Sequence, residues 1–287
     1  MVTGGAGYIG RWLARELLRQ EIEMVALDRQ PVEPGAKLSL PAEVPFVEGD
    51  VTDREAVLRA SRLRPFGTLI NVLEVARQAG IPRLVFASTI SVYKPDAPQP
   101  MDESTPAEPL GWYGQSKVLA EQLGLFYARR YGLDFRAARL AAIVGPFRFA
   151  ASGSATMYTS HILEKAALGE PYYLDVDERA ATPICYVKDC ARALAALATV
   201  PQAPGRIYNI GTGRASALGL IEIARSRCPG ARLEFRPEPN LAAVARLSEK
   251  WELSIERAAE DLGWRPAYTL ETMADDLMVT VRGEIAV

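Results

Sequence analysis

The 287-residue sequence has little histidine, little cysteine and no excess of charge of either sign. Its one histidine, His161, excludes histidine-rich metal sites, and any Ser-His-Asp triad would depend on that residue alone. Three cysteines do not form a paired disulfide framework, which favours a reducing, cytoplasmic setting. Lysine and arginine number 33 against 35 aspartates and glutamates, for a net charge of −2. This balance argues against nucleic-acid binding, which usually needs a basic excess.

Long apolar runs are also absent. The longest run is far shorter than the ~20 residues that cross a bilayer, and no basic-then-apolar leader opens the chain. We therefore expect a cytoplasmic protein without membrane contact and without a bound metal. Hydrophobic residues make up 49% and charged residues 24% of the chain, an ordinary globular composition. The length suits one large domain or two coupled domains.

Short apolar runs alternate with segments of helical spacing along the first half of the chain. Residues 24–27 and 84–87 have the composition of buried strands, and a long helix is predicted from Tyr113 to about Arg130. This alternation predicts an α/β fold, a doubly wound parallel Rossmann sheet with helices on both faces. We expect residues 1–148 to form the nucleotide-binding domain. Residues 149–287 would form a smaller mixed α/β substrate-binding region, from which residues 184–213 return to the first domain.

The alternation fails once. Residues 54–61 and 68–79 both have helical patterns, and the segment Arg62–Phe66 between them is too short, basic and proline-interrupted to be a strand. Only three residues precede the first glycines. Either a strand has been deleted near residues 62–66 or the sequence omits residues there. We favour the omission, because the rest of the pattern is intact.

A glycine-rich turn follows the first predicted strand. Gly4, Gly7 and Gly10 are spaced to allow a tight turn, close approach of a pyrophosphate, and its binding at the start of a helix. Asp28 lies 18 residues after Gly10, at the end of the next strand, where a carboxylate can accept hydrogen bonds from the adenosine ribose. Such a carboxylate repels a 2′-phosphate and favours NAD over NADP, although the adjacent Arg29 weakens this preference. The alternative is that Asp28 is a solvated turn residue.

A tyrosine and a lysine share one face of a predicted helix. Tyr113 and Lys117 are four residues apart, and a nearby ammonium favours the phenolate form of a tyrosine whose ordinary pKa is ~10. Ser88 and Thr89 end a buried strand, where a hydroxyl can hydrogen-bond the substrate oxygen on which Tyr113 acts. Each signal alone has a structural alternative: a surface Tyr and Lys, or a turn hydroxyl. Together and in this order they predict a catalytic site.

These motifs resemble those of the extended short-chain dehydrogenases/reductases, in the NAD-dependent epimerase/dehydratase group that includes sugar-nucleotide epimerases. The resemblance covers nearly the whole chain, and the stretches that carry it are Gly4–Gly10, Asp28, Gly49–Val51, Ala87–Tyr93, Tyr113–Lys117, Tyr186–Asp189, Tyr208–Gly211 and Leu262–Pro266. It implies an enzyme with NAD as cofactor. It further implies hydride transfer at a secondary alcohol of a sugar or sugar derivative, free or nucleotide-linked.

The resemblance also implies roles for single residues. Tyr113 would be the general acid/base, Lys117 its partner and a ligand of the nicotinamide ribose, and Thr89 the catalytic hydroxyl with Ser88 beside it. Residues implied to contact NAD are Gly4, Gly7, Tyr8, Ile9, Gly10, Asp28, Arg29, Asp50, Val51, Ala87, Tyr113 and Lys117. For Asp50 a plain helix cap remains the alternative.

Several positions depart from the group's patterns. Sugar 4,6-dehydratases carry Asp-Glu after the catalytic threonine, where this chain has Ile90-Ser91, so we do not expect that dehydration. Many nucleotide-sugar epimerases have Asn at Ala142 and Arg-Asp at Thr182-Pro183, so a diphosphate anchor is partly missing. Arg148 and Arg236 are candidate substrate contacts in its place, and each is equally well a surface arginine. A free sugar, sugar acid or other hydroxy compound is therefore an alternative substrate.

Three functions remain open on sequence grounds. An epimerase would retain NAD, a net dehydrogenase would release NADH, and a non-catalytic dinucleotide sensor would need only the glycine turn. The presence of Thr89, Tyr113 and Lys117 together disfavours the sensor. Many relatives pair through the helix that carries the catalytic tyrosine, so the resemblance implies a homodimer through the helix from Leu110 to about Arg130.

Overall fold

The computed structural model describes residues 1–30, 38–51, 68–148 and 155–283. Its strands are β1 (Val2–Thr3), β2 (Ala26–Asp28), β3 (Phe46–Glu48), β4 (Arg83–Thr89), β5 (Asp134–Leu140), β6 (Ala142–Val144), β7 (Tyr172–Leu174), β8 (Ala181–Tyr186), β9 (Ile207–Ile210), β10 (Gly213–Ser216) and β11 (Leu233–Phe235). Its α-helices are α1 (Tyr8–Arg19), α2 (Thr68–Gln78), α3 (Trp112–Tyr131), α4 (Tyr158–Leu168), α5 (Val187–Thr199), α6 (Ala217–Arg227), α7 (Pro239–Arg246), α8 (Glu256–Leu262) and α9 (Leu270–Arg282). The fold is α/β, as predicted.

Six parallel strands form two separate three-stranded sets, which we call the two halves of the parallel sheet. One half has the strand order β1-β2-β3 and the other β4-β5-β9, and all neighbours within each half are parallel. The register places Thr89 of β4 opposite Leu140 of β5, and Leu140 opposite Ile210 of β9. The carboxyl ends of these three strands therefore lie side by side, at the edge where open α/β sheets bind ligands.

Strand β4 is incompletely covered. Its residues Leu84, Val85 and Phe86 are half-buried and Ala87 is exposed, whereas β5 is buried from Phe135 onwards. Central strands of doubly wound sheets are normally covered on both faces. Within the described ranges, no strand pairs with β4 on the side away from β5. The predicted helix at 54–61 and the predicted gap at Arg62–Phe66 lie outside the described residues.

A helix pair connects the two halves of the sheet. Helix α1 follows β1 and packs along α5, which also contacts β4. Ala14 of α1 and Ala195 of α5 are fully buried in one cluster, and their small side chains let the helices approach closely. In the part of the chain that is described, none of the helices is long and apolar enough to span a bilayer.

The second half of the chain adds a smaller sheet of order β10-β8-β6, in which β8 is entirely buried. The sequence predicts one strand across Phe135–Val144, and this prediction is wrong in one respect. The chain leaves the β5 ladder after Ala141, whose N–H donates to the Ile210 carbonyl at 2.9 Å. Residues Ala142–Val144 then pair with β8 instead. The bend after Ala141 carries the chain from the β4-β5-β9 sheet to the β10-β8-β6 sheet.

Candidate active site

The glycine turn joins β1 to α1. Gly4 has a φ of +67°, a left-handed conformation that favours glycine. A Cβ atom on Gly10 would lie 2.4 Å from the Gly4 carbonyl oxygen and 2.6 Å from that of Gly5, so only glycine lets α1 pack this closely on the turn. Gly7 is the N-cap of α1 and supplies no side-chain cap, and the first helical turn has no acidic residue. Backbone N–H groups at the start of this helix can therefore donate hydrogen bonds to a bound anion.

Asp28 ends β2 with its carboxylate directed at the glycine turn. One carboxylate oxygen accepts from the Ala6 N–H at 3.2 Å and the other from the Arg29 N–H at 2.8 Å. The Gly49 N–H donates to the Asp28 carbonyl at 2.8 Å, which brings the end of β3, followed by Asp50, beside the end of β2. The predicted ribose-binding carboxylate and the predicted adenine contacts thus share one edge of the first half-sheet.

The other predicted cofactor contacts surround this edge. The hydroxyl of Tyr8, the first residue of α1, donates to the Pro146 carbonyl at 3.0 Å, and burial raises its pKa, so it remains a neutral donor. Ile9 packs partly buried against the main core. The Val51 carbonyl accepts from the side-chain amide of the buried Asn71 at 2.8 Å, which fixes the chain after β3.

Tyr113 and Thr89 meet where α3 starts close to the end of β4. The approach depends on Gly114, where a Cβ atom would lie 2.3 Å from the Ser91 carbonyl oxygen. The Thr89 hydroxyl accepts from the Ser91 N–H at 3.2 Å. Partial burial raises the pKa of Tyr113, and hydrogen bonding to the Thr89 side chain opposes this effect. The Tyr113 side chain is nevertheless 60% exposed, so a substrate can reach it.

Lys117 lies one helical turn after Tyr113. Its Nζ atom donates to the Ala87 carbonyl at 2.8 Å and lies 5.6 Å from the centre of the Tyr113 ring and 4.7 Å from that of Phe86. Burial lowers the pKa of the Lys117 ammonium, while the charge of Glu121 raises it. The ammonium is therefore close enough to favour a phenolate at Tyr113.

A buried polar network lies behind this site. The Ser88 hydroxyl donates to Glu121 Oε1 at 2.6 Å, and Arg139 donates to both carboxylate oxygens of Glu121, at 3.0 and 2.7 Å. Arg139 also donates to the Tyr93 hydroxyl at 3.0 Å, and Tyr93 donates to Asn209 Oδ1 at 2.8 Å. This network is not predicted from the sequence, although one signal for it is present: Glu121 follows Lys117 by one helical turn. The hydroxyl of Ser88, which is predicted to contact the substrate, donates to Glu121 instead.

The two arginines predicted as substrate contacts have partners within the protein. Arg148 donates to the Ile143 carbonyl, and burial lowers its pKa. Arg236 stacks over the Tyr173 ring, with its guanidinium carbon 3.5 Å from the ring centre, and donates to Glu234 at 3.1 Å. The contacts described for either residue do not include Thr89 or Tyr113.

The sequence profile of the NAD dependent epimerase/dehydratase family matches this chain over residues 1–65 and 64–211. The two matched segments overlap at residues 64–65, within the stretch where the predicted β/α alternation is interrupted. A putative UDP-glucose 4-epimerase of Methanocaldococcus jannaschii is 28% identical, over 94% of each chain. The mitochondrial L-threonine 3-dehydrogenase of Bos taurus is 26% identical, over 97% of this chain and 81% of its own length.

Solved structures of both kinds share the fold along almost the whole chain. The L-threonine dehydrogenase from Phytophthora infestans superposes with a TM-score of 0.83 at 25% identity, over 99% of this chain and 98% of its own. The UDP-glucose 4-epimerase of Thermus thermophilus, solved in complex with NAD, superposes with a TM-score of 0.78 at 26% identity and the same coverage. The chain thus belongs to the NAD-dependent epimerase/dehydratase family of extended short-chain dehydrogenases/reductases.

Proposed function

We propose that this chain is an NAD-dependent dehydrogenase of a small hydroxy compound, with L-threonine as the first substrate to test. The observation that carries the proposal is the meeting of Thr89, Tyr113 and Lys117 at the carboxyl end of β4. Oxidising a secondary alcohol requires a base for the hydroxyl proton and a hydrogen bond to the oxygen. These three side chains can supply both.

The residues around the glycine turn fit NAD. Gly4, Gly7 and Gly10 present no side chains at the turn, which leaves room for a pyrophosphate, and Asp28, whose carboxylate accepts from the Ala6 N–H of the turn, would bind the ribose. Lys117 would hold the nicotinamide ribose, as the family resemblance implies. When bound, NAD supplies the hydride acceptor of the reaction.

In the proposed reaction the substrate hydroxyl lies between Thr89 and Tyr113. The Thr89 hydroxyl holds the substrate oxygen, and the Tyr113 phenolate takes its proton at Oη. The carbon–hydrogen bond would break with its electron pair passing as hydride to bound NAD, and the C–O bond would become a carbonyl. The Lys117 ammonium, 5.6 Å from the Tyr113 ring centre, stabilises the phenolate before the proton arrives.

The surroundings of the site favour a small substrate. A nucleotide diphosphate is usually held by arginine or lysine side chains. Thr182-Pro183 stand at the position of the epimerases' Arg-Asp pair and are buried in β8, and both Arg148 and Arg236 have partners within the protein. L-threonine carries its secondary hydroxyl next to a compact ammonium and carboxylate and requires no diphosphate anchor. The bovine and Phytophthora relatives are named for this substrate.

A second candidate is the epimerisation of a nucleotide sugar, which the 28% identity to the Methanocaldococcus protein favours. The two reactions share their first half, so the fate of the reduced cofactor separates them. Purified protein is incubated with NAD and either L-threonine or UDP-galactose, while NADH absorbance and UDP-glucose are measured. Stoichiometric NADH with L-threonine supports the dehydrogenase. Formation of UDP-glucose without accumulation of NADH would contradict the dehydrogenase proposal and support the epimerase.

We also propose that the chain forms a homodimer through α3. Trp112, Leu119 and Phe126 are 91%, 62% and 45% exposed and recur every seven residues, which keeps them on one helix face. An exposed apolar stripe of this kind is typical of a protein–protein interface. A second copy of α3 offers a matching stripe by symmetry.

A further inference from the structure

A buried ion pair stands directly behind the catalytic pair. Glu121 of α3 and Arg139 of β5 are almost fully buried, and their closest atoms are 2.7 Å apart. We propose that Glu121 is a positioning residue of the reaction: it holds the Lys117 turn of α3 against β4 and keeps a negative charge behind the Lys117 ammonium. This inference rests on the proposed function, because it assigns Lys117 to the reaction.

The contacts of Glu121 tie together the three elements that form the site. Glu121 is on α3, four residues after Lys117. Ser88, which donates to it at 2.6 Å, precedes Thr89 at the end of β4. Arg139, which binds both of its oxygens, is on β5 beside β4. A shift of Glu121 would therefore change the spacing between Lys117 and the end of β4, where the substrate oxygen is held.

The same carboxylate acts on Lys117 through its charge. Burial disfavours the Lys117 ammonium, and Glu121 opposes that effect. Besides Lys117, the titratable or charged groups joined to Glu121 through the hydrogen bonds of the described residues are Arg139 on β5 and Tyr93 beyond it. Arg139 is permanently charged, and burial raises the pKa of Tyr93, so neither changes charge near neutral pH.

A second arginine pair on β5 provides a matched control. Arg136 is buried and donates to both carboxylate oxygens of Asp134, at 3.0 and 2.8 Å. Its remaining donors bind the carbonyls of Leu197, Val200 and Pro201, away from the catalytic residues. Asp134 also accepts from Arg83 at the start of β4, at the opposite end of that strand from Thr89, so Asp134→Asn removes a carboxylate from arginine pairing without contacting Lys117.

The test compares Glu121→Gln with Asp134→Asn in the full-length enzyme. We expect Glu121→Gln to lower kcat roughly 10- to 100-fold, since small displacements at a reacting centre have such effects. Its kcat should also decline at a lower pH than in the wild type, because Lys117 loses its proton earlier without the neighbouring anion. Asp134→Asn should keep the wild-type profile. Identical profiles for Glu121→Gln and the wild type would overturn the inference.

Ser88→Ala keeps the ion pair and therefore covers the case in which Glu121→Gln does not fold. If the role of Ser88 is to hold Glu121 in place, kcat of Ser88→Ala falls and its KM for the substrate stays unchanged. A raised KM with normal kcat would mean that Ser88 contacts the substrate instead, and would contradict the inference.

A readout independent of turnover separates this inference from the proposed function. Lysines are methylated with ¹³C-formaldehyde, and the Lys117 resonance, assigned with Lys117→Arg, is followed against pH. Glu121→Gln should move its titration to lower pH, and Asp134→Asn should not. An unmoved titration would overturn the inference, even in an enzyme active on L-threonine. A moved titration in a protein inactive on L-threonine would count against the proposed substrate alone.

Discussion

Tyr113 and Lys117 lie in surroundings that disfavour both of their charged forms. Burial raises the pKa of the Tyr113 hydroxyl and lowers that of the Lys117 ammonium. The phenolate therefore depends on the neighbouring ammonium, and the ammonium depends on the anions beside it, which are the Glu121 carboxylate and the phenolate itself. Activity in the direction of alcohol oxidation should rise as Tyr113 loses its proton and fall once Lys117 loses its own.

Replacing Lys117 should shift the acid limb of the pH–activity profile, the part in which activity rises as Tyr113 loses its proton. In Lys117→Met the phenolate loses its cation, the pKa of Tyr113 rises further, and the rise of kcat/KM moves to higher pH. Lys165→Met is the control, since Lys165 pairs with Glu170 on the surface of α4. A pH series of initial rates measures both variants. An acid limb in Lys117→Met that coincides with the wild type would contradict the proposed coupling.

Removing the Tyr113 hydroxyl should lower turnover strongly and change cofactor binding little. General acid–base catalysis contributes about 10²- to 10⁴-fold, and Tyr113→Phe should lose a factor in this range from kcat. NADH binding, followed by fluorescence, should change little because Asp28 and the glycine turn are intact. Unchanged turnover on a genuine substrate would refute the proposed chemistry.

At the scale of the elements, the contact between α1 and the glycine turn is the most sensitive to a single methyl group. Gly10→Ala places a Cβ atom 2.4 Å from the Gly4 carbonyl oxygen, so α1 must move outwards. We expect a loss of about 1–3 kcal/mol of stability together with weaker NADH binding. Gly230→Ala is the matched control, because a Cβ atom there meets no neighbour within 4 Å. Thermal unfolding and NADH titration distinguish the two variants.

The predictions from sequence succeeded where the signal is local. The strand-to-helix glycine turn, the end of β2 at Asp28, and the shared face of Tyr113 and Lys117 each depend on a few consecutive residues. The break after Ala141 was missed because it is set by β8 and β9, which arrive 40 or more residues later. The Glu121–Arg139 pair was missed for the same reason, since a buried charge is paired by packing between elements and not by spacing along one of them.

At the scale of the whole molecule, the stripe on α3 should decide the oligomeric state. Leu119→Glu places a charge in the centre of the stripe formed by Trp112, Leu119 and Phe126, and should convert a dimer to a monomer. Leu218→Glu, an exposed leucine on α6, is the control. Analytical ultracentrifugation measures both. A wild-type protein that sediments as a monomer would overturn the dimer proposal outright.

The division of the parallel sheet has a consequence for how cooperatively the molecule unfolds. The half with β1–β3 has a buried cluster around Met24 and Val44, and among the described residues it contacts the rest through α1 and α5 and through α2, where Leu27 packs against Val75. In the cofactor-free protein we expect the amides of Ala26–Asp28 to exchange with deuterium faster than those of Ala137–Leu140, as a separate unit of lower stability.

Because NAD would touch both halves, it should couple the two units. At a ligand concentration of 100 times Kd, binding stabilises a protein by about 2.7 kcal/mol, and most of this gain should appear as slower exchange in the first half. Equal exchange rates in the two halves without cofactor would show that the contacts of α1, α2 and α5 already make unfolding a single event.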